Sequence, residues 1–240
     1  MKRAHILNVV KHERDFRHLD VLALQEASAH AHGDDASSIA HVLGETYGSY
    51  HHVYNLLKTL PQANALVWNR ARVQFNAIEH HTLPTHIQVH LPRAERALLN
   101  RLKRQTRVNL VGDGAWENFS VRVCAAHLDV LGYRFKRQQF RAVLDDLRAR
   151  SPVDVMILAG DFNTFRIGGR PTWAQLKHDA AELGLRAISD EIIFTQRALR
   201  VKQKLDEIFV ASPHTFRSRV WTLDVGGSDH LPMFAEITFD

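Results

Sequence analysis

Short apolar runs in this chain repeatedly end in carboxylates, amides or imidazoles. Asn8 lies in His5-Ile6-Leu7-Asn8-Val9-Val10 and Glu26 closes Leu24-Gln25-Glu26. His127 and Asp129 follow in Ala126-His127-Leu128-Asp129, and Asp161 and Asn163 in Gly160-Asp161-Phe162-Asn163. Asp206 sits in Lys204-Leu205-Asp206-Glu207, and Asp229 and His230 in Gly227-Ser228-Asp229-His230-Leu231-Pro232. Taken singly, an aspartate at a strand end starts a turn or caps a helix. Taken together, these residues offer several hard oxygen donors with imidazoles beside them and no thiolate partner. Such a donor set suits Mg²⁺, with Mn²⁺ as the second choice, better than Zn²⁺.

The apolar runs are the elements that must bring these residues together. Val21–Leu24 and Val153–Ala159 lack polar alternation, as strands buried on both faces do, and each delivers polar residues at its C-terminal end. Further strands are expected at 6–10, 65–68, 121–126, 207–210 and 233–239, the last with clear alternation. Phe140, Val143, Leu144 and Leu147 recur at helical spacing. Trp173, Leu176, Ala180 and Leu183 mark a second helix stopped by Gly184, and Ile39, Val42 and Leu43 a third with Ser37 as N-cap. Residues 30–38 and 166–171 read as surface loops. Strands outnumber helices and often follow one another directly, which predicts a mixed sheet sandwich flanked by helices.

Composition narrows the class. The chain has 240 residues, 45% of them hydrophobic, so a sizeable core is available and intrinsic disorder is excluded. A single cysteine, Cys124, excludes a disulfide scaffold. No apolar run approaches the roughly 20 residues of a membrane span, and no secretory signal is visible, so a cytoplasmic single domain over 1–240 is expected. Lys and Arg exceed Asp and Glu by 31 to 26, for a net charge of +5, which fits a protein that meets phosphates.

The motifs and their order resemble the endonuclease/exonuclease/phosphatase superfamily of metal-dependent phosphoesterases. That family includes pancreatic-type deoxyribonucleases, abasic-site endonucleases, inositol-polyphosphate phosphatases and bacterial neutral sphingomyelinases. The likeness runs from Asn8 to Phe239, and Gly160-Asp161-Phe162-Asn163 and Ser228-Asp229-His230 are its most specific parts. Gln62-Ala63-Asn64-Ala65-Leu66 is similar to the family's Gly-Asn-Ala-Ile strand with Ala63 in place of the glycine, and Leu7 stands where an aromatic is common. The resemblance implies a deoxyribonuclease-like four-layer α/β/β/α fold and divalent-metal-dependent hydrolysis of a phosphodiester. It implies Glu26 as the principal metal ligand with Asn8 and Asp229 beside it. Asp161 would orient or deprotonate the attacking water, and Asn163, on an extended segment, would donate to a phosphoryl oxygen. His230 would contact phosphate with Asp206 orienting it, and His127 would support the leaving group as an acid.

Basic clusters suggest the substrate. Arg93, Arg96, Arg101, Lys103, Arg104 and Arg107, and then Arg134, Lys136, Arg137 and Arg141, are positioned to follow a nucleic-acid backbone. Nucleic acid is therefore the favoured substrate. The alternatives are a phosphatase or phosphodiesterase acting on a small or lipid-linked phosphate, as in sphingomyelinases, and a non-catalytic phosphate-binding relative. No protein partner is inferable.

Overall fold

A computed structural model describes residues 2–30, 33–57, 60–100, 106–164, 170–198 and 201–240. The chain runs through α1 (Lys2–His12), β1 (Val21–His30), β2 (Gly33–Asp34), α2 (Asp35–Leu43), β3 (Tyr47–Leu57), β4 (Leu60–Asn69), β5 (Val73–Thr82), α3 (Arg93–Asn100), β6 (Val108–Trp116) and β7 (Phe119–His127). It continues with α4 (Tyr133–Ala149), β8 (Val155–Asp161), α5 (Arg170–Ala181), β9 (Arg186–Ala187), β10 (Gln196–Ala198), β11 (Val201–Gln203), β12 (Asp206–Ala211), β13 (Phe216–Thr222) and β14 (Met233–Phe239).

Two sheets form the middle of the molecule. One has the order β2-β1-β4-β3, the other β5-β6-β7-β8-β12-β9, and β13-β14 and β10-β11 are separate hairpins. Leu66, Val73, Leu110, Val121, Val123, Ala125 and Val155 pack between the sheets, with Val21, Ala23 and Trp68 against them. The outer face of the first sheet buries Ala27, Ala63 and Ala65 with Val10 of α1, Ile39 of α2 and Phe234 of β14. The outer face of the second buries Cys124, Leu158 and Phe209 under Phe140, Val143, Leu144 and Leu147 of α4 and Leu176 and Ala180 of α5. The layers are thus α/β/β/α, as expected. Asn64 of β4 is fully buried and its amide donates to Val108 O at 2.7 Å and to Ala125 O at 3.4 Å, so one side chain joins the two sheets.

Most expected elements are present, with corrections. Residues 6–10 are helical, inside α1, where a strand was expected. A short apolar run has no period of its own; Ile6, Leu7 and Val9 face the cluster around Val10, and Lys11 and His12 complement the helix dipole in the last turn. The 30–38 stretch is no simple loop: it holds β2 and the first residues of α2, while 31 and 32 lie outside the described residues. Asp34, not Ser37, caps α2, accepting from the Ser37 backbone N–H. Of the expected 166–171 loop, 166–169 fall outside the described residues and Arg170 and Pro171 open α5. Strands β3, β5, β6 and β13 carry no strong sequence signal and gain their form from pairing.

At Gly160 strand β8 leaves no room for a side chain against β7. A Cβ there would lie 1.8 Å from the Ala126 carbonyl oxygen of β7, and φ is +156°. Gly160→Ala should therefore cost about 3 kcal/mol or more, read as a lower urea midpoint at unchanged m-value. A midpoint equal to that of the unsubstituted protein would disprove the close approach.

Candidate active site

Strand register builds the first row of the site. β7 and β8 run parallel with His127 opposite Asp161, and β8 and β12 run antiparallel with Asp161 opposite Asp206. Residues directly opposite one another point to the same face. His127, Asp161 and Asp206 therefore stand side by side at one end of the second sheet. Behind Asp206, the buried Lys204 and Glu207 pair with each other, and Ser189 bonds to Glu207, so the start of β12 is anchored from below.

His230 arrives from the segment between β13 and β14. Its Nδ1 is 2.8 Å from Asp206 Oδ2 and its Nε2 is 3.9 Å from Asp161 Oδ2. The isolated bridge between Gln196 and His230 fixes that segment, as does the Leu231 N–H donating to Thr195 O at 2.7 Å. Burial opposes a charge on His230, but the Asp206 hydrogen bond and the Asp206, Asp161 and Asp229 carboxylates outweigh it and carry the imidazole up to about 9. Asp161 is itself buried, and burial followed by the Asp206 carboxylate pushes it up to about 7.

The first sheet contributes Glu26. The β1–β4 register breaks between Leu24 and Ala27, and Glu26 takes φ 55° within that bulge. A bulge re-aims a side chain, and here it brings Glu26 Oε1 to 3.9 Å from His127 Nε2 and 3.8 Å from a guanidinium nitrogen of Arg107. Two further residues complete this side. Arg107 is 1% exposed, with Nη1 2.9 Å from His127 Nδ1, and the buried Tyr54 has its hydroxyl 3.1 Å from the same nitrogen. His127 Nε2 lies 3.6 Å from Asp161 Oδ2. Burial, then Arg107 and His230, hold the His127 imidazole well below its ordinary 6.5.

Asn163 is placed differently from expectation. It adopts φ 50° rather than an extended conformation, because its N–H donates to Asp161 Oδ1 at 2.8 Å and asparagine tolerates this turn. Its side-chain Nδ2 donates to Leu128 O at 3.0 Å, so the amide orders the turn after His127. The buried ammonium of Lys136, drawn down by burial to about 8, caps the same turn through Asn163 O and Val130 O. Asp229 is exposed at the rim, where its Oδ2 accepts from Gln196 Nε2 at 3.2 Å. Asn8 is not joined to this group by any contact among the described residues. It is exposed on α1, and its carbonyl oxygen is 2.8 Å from His12 Nδ1.

The donor chemistry fits a hard divalent cation. Asp161, Asp206 and His230 each offer a ligand atom within 4.8 Å of the others. Glu26 adds a carboxylate with a half-exposed side chain opposite them. Burial first, and then the Asp206 carboxylate, raise Asp161, a state that a bound cation would relieve. Sequence reasoning missed Arg107 and Tyr54 in this site. Arg107 was placed in an exposed basic run, and the only hint of its role is its position just before β6.

The chain matches the family described as Endonuclease/Exonuclease/phosphatase over residues 2–230. No curated protein matches it in sequence. Solved structures share its fold. The endonuclease/exonuclease/phosphatase from Bacteroides vulgatus has a TM-score of 0.72 at 14% identity, covering 100% of this chain and 90% of that one. The human Nocturnin catalytic domain with bound sulfate anion has a TM-score of 0.71 at 18% identity, covering 100% and 86%. The mannosyl-6-phosphatase of Bacteroides thetaiotaomicron has a TM-score of 0.68 at 15% identity, covering 99% and 91%. Family match, layer order and motif order agree, and the chain belongs to the endonuclease/exonuclease/phosphatase family of hydrolases acting on phosphoester bonds.

Proposed function

We propose that this protein hydrolyses a phosphoester with a divalent cation, Mg²⁺ or Mn²⁺, held by Glu26 and Asp229 next to Asp161. The observation that carries this reading is the row His127–Asp161–Asp206 with the His230 imidazole closing over it. The bound cation would neutralise charge on the phosphoryl oxygens and lower the cost of bringing an anion among carboxylates. Asp161 takes a proton from the attacking water at Oδ2, the oxygen that faces both imidazoles. His230, with Nδ1 held by Asp206, presents Nε2–H to a phosphoryl oxygen. Asn163 and Lys136 order the turn beside them, and Asn8 drops out of the ligand set. Asp129, half-buried with its carboxyl raised by burial, flanks this turn without touching the row.

The structure favours a compact phosphoester over a nucleic-acid track. Arg107 and Lys136 are interior, and Asp179 holds Arg137 at 2.7 Å and lies 3.5 Å from Arg141. Arg101, Lys103 and Arg104 lie outside the described residues. What remains exposed of the two basic clusters among the described residues is Arg93, Arg96, Arg134 and the paired Arg141. A polymer bound along several phosphates gives a steep loss of affinity with salt, roughly tenfold for each tenfold rise in salt per phosphate contacted. Binding of plasmid DNA should be weak and shallow in salt dependence, and a steep slope would return nucleic acid to first place.

Hydrolysis of bis-p-nitrophenyl phosphate or p-nitrophenyl phosphate should require Mg²⁺ or Mn²⁺ and stop in excess chelator. Glu26→Gln should raise the metal concentration for half-maximal rate about tenfold or more, with thermal stability little changed because the side chain is 52% exposed. Full activity in chelator overturns the reading. The Asp206–His230 pair gives a second test. His230→Ala and Asp206→Asn should each lower turnover, and the double variant should lose far less than the product of the two. Histidine NMR of the metal-free protein should show His230 releasing its proton near 9, and earlier in Asp206→Asn. Because its folded value lies above the ordinary 6.5, the pair adds stability that is complete below 6.5 and lost as pH rises through about 9. Multiplicative losses with an unmoved His230 titration would mean that Asp206 serves something else.

A further inference from the structure

We infer that Arg107, with Tyr54, is a positioning residue that fixes which ring nitrogen of His127 carries the proton, so that His127 acts on substrate as an Nε2–H donor and not as an acid. The argument rests on which atoms can donate. A guanidinium has five N–H groups and no acceptor, so Arg107 Nη1, 2.9 Å from His127 Nδ1, presents a hydrogen to that nitrogen. The guanidinium offers the Tyr54 hydroxyl no acceptor, whereas His127 Nδ1 offers a lone pair, so the hydroxyl turns its proton to that nitrogen, 3.1 Å away. Nδ1 is thus met by donors alone and has to be the acceptor. The ring proton then sits on Nε2.

Nε2 is the nitrogen that faces the site, 3.6 Å from Asp161 Oδ2 and 3.9 Å from Glu26 Oε1. An N–H there points at the space between the two carboxylates, where a phosphoryl or leaving oxygen would lie. The two site histidines are wired in opposite senses. His230 has a carboxylate at Nδ1 and holds a proton there, whereas His127 has cationic and hydroxyl donors at Nδ1 and holds none. On this inference His127 donates a hydrogen bond where the family resemblance implies an acid. The geometry also explains the burial of Arg107 at 1% exposure: the Tyr54 ring lies 5.9 Å from its guanidinium carbon, and the carboxylate of Glu26 is 3.8 Å away.

The kinetic part of the test rests on the hydrolase reading; the spectroscopic part does not. Two-bond ¹H–¹⁵N correlation spectra of ¹⁵N-histidine-labelled protein should show His127 with a protonated Nε2 and a bare Nδ1. Tyr54→Phe, nearly isosteric, should keep that pattern through Arg107, and Arg107→Lys should keep it in part. Arg107→Met combined with Tyr54→Phe should move proton density to Nδ1 and lower kcat about a hundredfold or more, as a misplaced ring proton does elsewhere. An Nδ1–H pattern in the unsubstituted protein overturns the inference even if no variant folds. So does a kcat loss in the double variant with the Nε2–H pattern intact, since Arg107 would then act on substrate directly. A protein with Nε2–H on His127 but no hydrolysis of any phosphoester would sink the hydrolase reading and leave this one standing.

Discussion

Like charges do not gather unaided, and the site collects Glu26, Asp161 and Asp206 around one small space. Hydrogen-bond register is what forces them together. β8 pairs with β7 on one side and β12 on the other, with His127, Asp161 and Asp206 on one level. A slip of one residue in either ladder would turn a carboxylate to the opposite face. The α4 crossover makes the parallel pairing possible, and Gly160 lets the Ala126 carbonyl approach. Packing under α4 and α5 thus has a chemical result: it sets the spacing of charges.

Those charges are balanced from two sides. His230 brings a proton shared with Asp206, and Arg107 brings a permanent cation from within the sandwich. One residue type consequently serves two ends. The imidazole beside carboxylates stays charged through neutral pH, while the other is driven down by burial and by the Arg107 guanidinium. Asp161, raised by burial and by the Asp206 carboxylate, is a group whose charged form a divalent ion would stabilise.

Much of this was legible in the sequence because the signals are local. Glu26, His127 and Asp161 end apolar runs and Asp206 opens one, and with the family resemblance their types and order point to one site. Strands that succeed one another without helices between predict a helix-flanked sheet sandwich, and the family resemblance adds the four-layer order. The stretch 6–10 turns out helical because four apolar residues around Asn8 fit a strand or one helix face equally, and packing against α2 decides between them. Asn163 was read as extended because a turn closed by the Asp161 carboxylate depends on a side-chain bond, not on a pattern. Arg107 was hidden for a different reason. A lone arginine among basic neighbours looks solvated, whereas Glu26, Tyr54 and His127, brought from three strands, surround its guanidinium in the interior. Long-range pairing of this kind leaves no periodicity behind.

The Asn64 amide acts as a rivet. Glu26 belongs to one β-layer and the carboxylate row to the other, so the gap between them is a distance between two sheets. Sheets that meet only through apolar side chains such as Leu66, Val123 and Ala125 resist separation better than sliding, because such contacts are non-directional. A hydrogen bond from β4 to carbonyl oxygens of the opposing sheet is directional, and it lies in the dry centre where water cannot replace it. Shear between the layers is therefore checked one residue from Arg107 and two from His127, and the spacing of Glu26 and Asp161 is steadied by a residue that holds only backbone carbonyls.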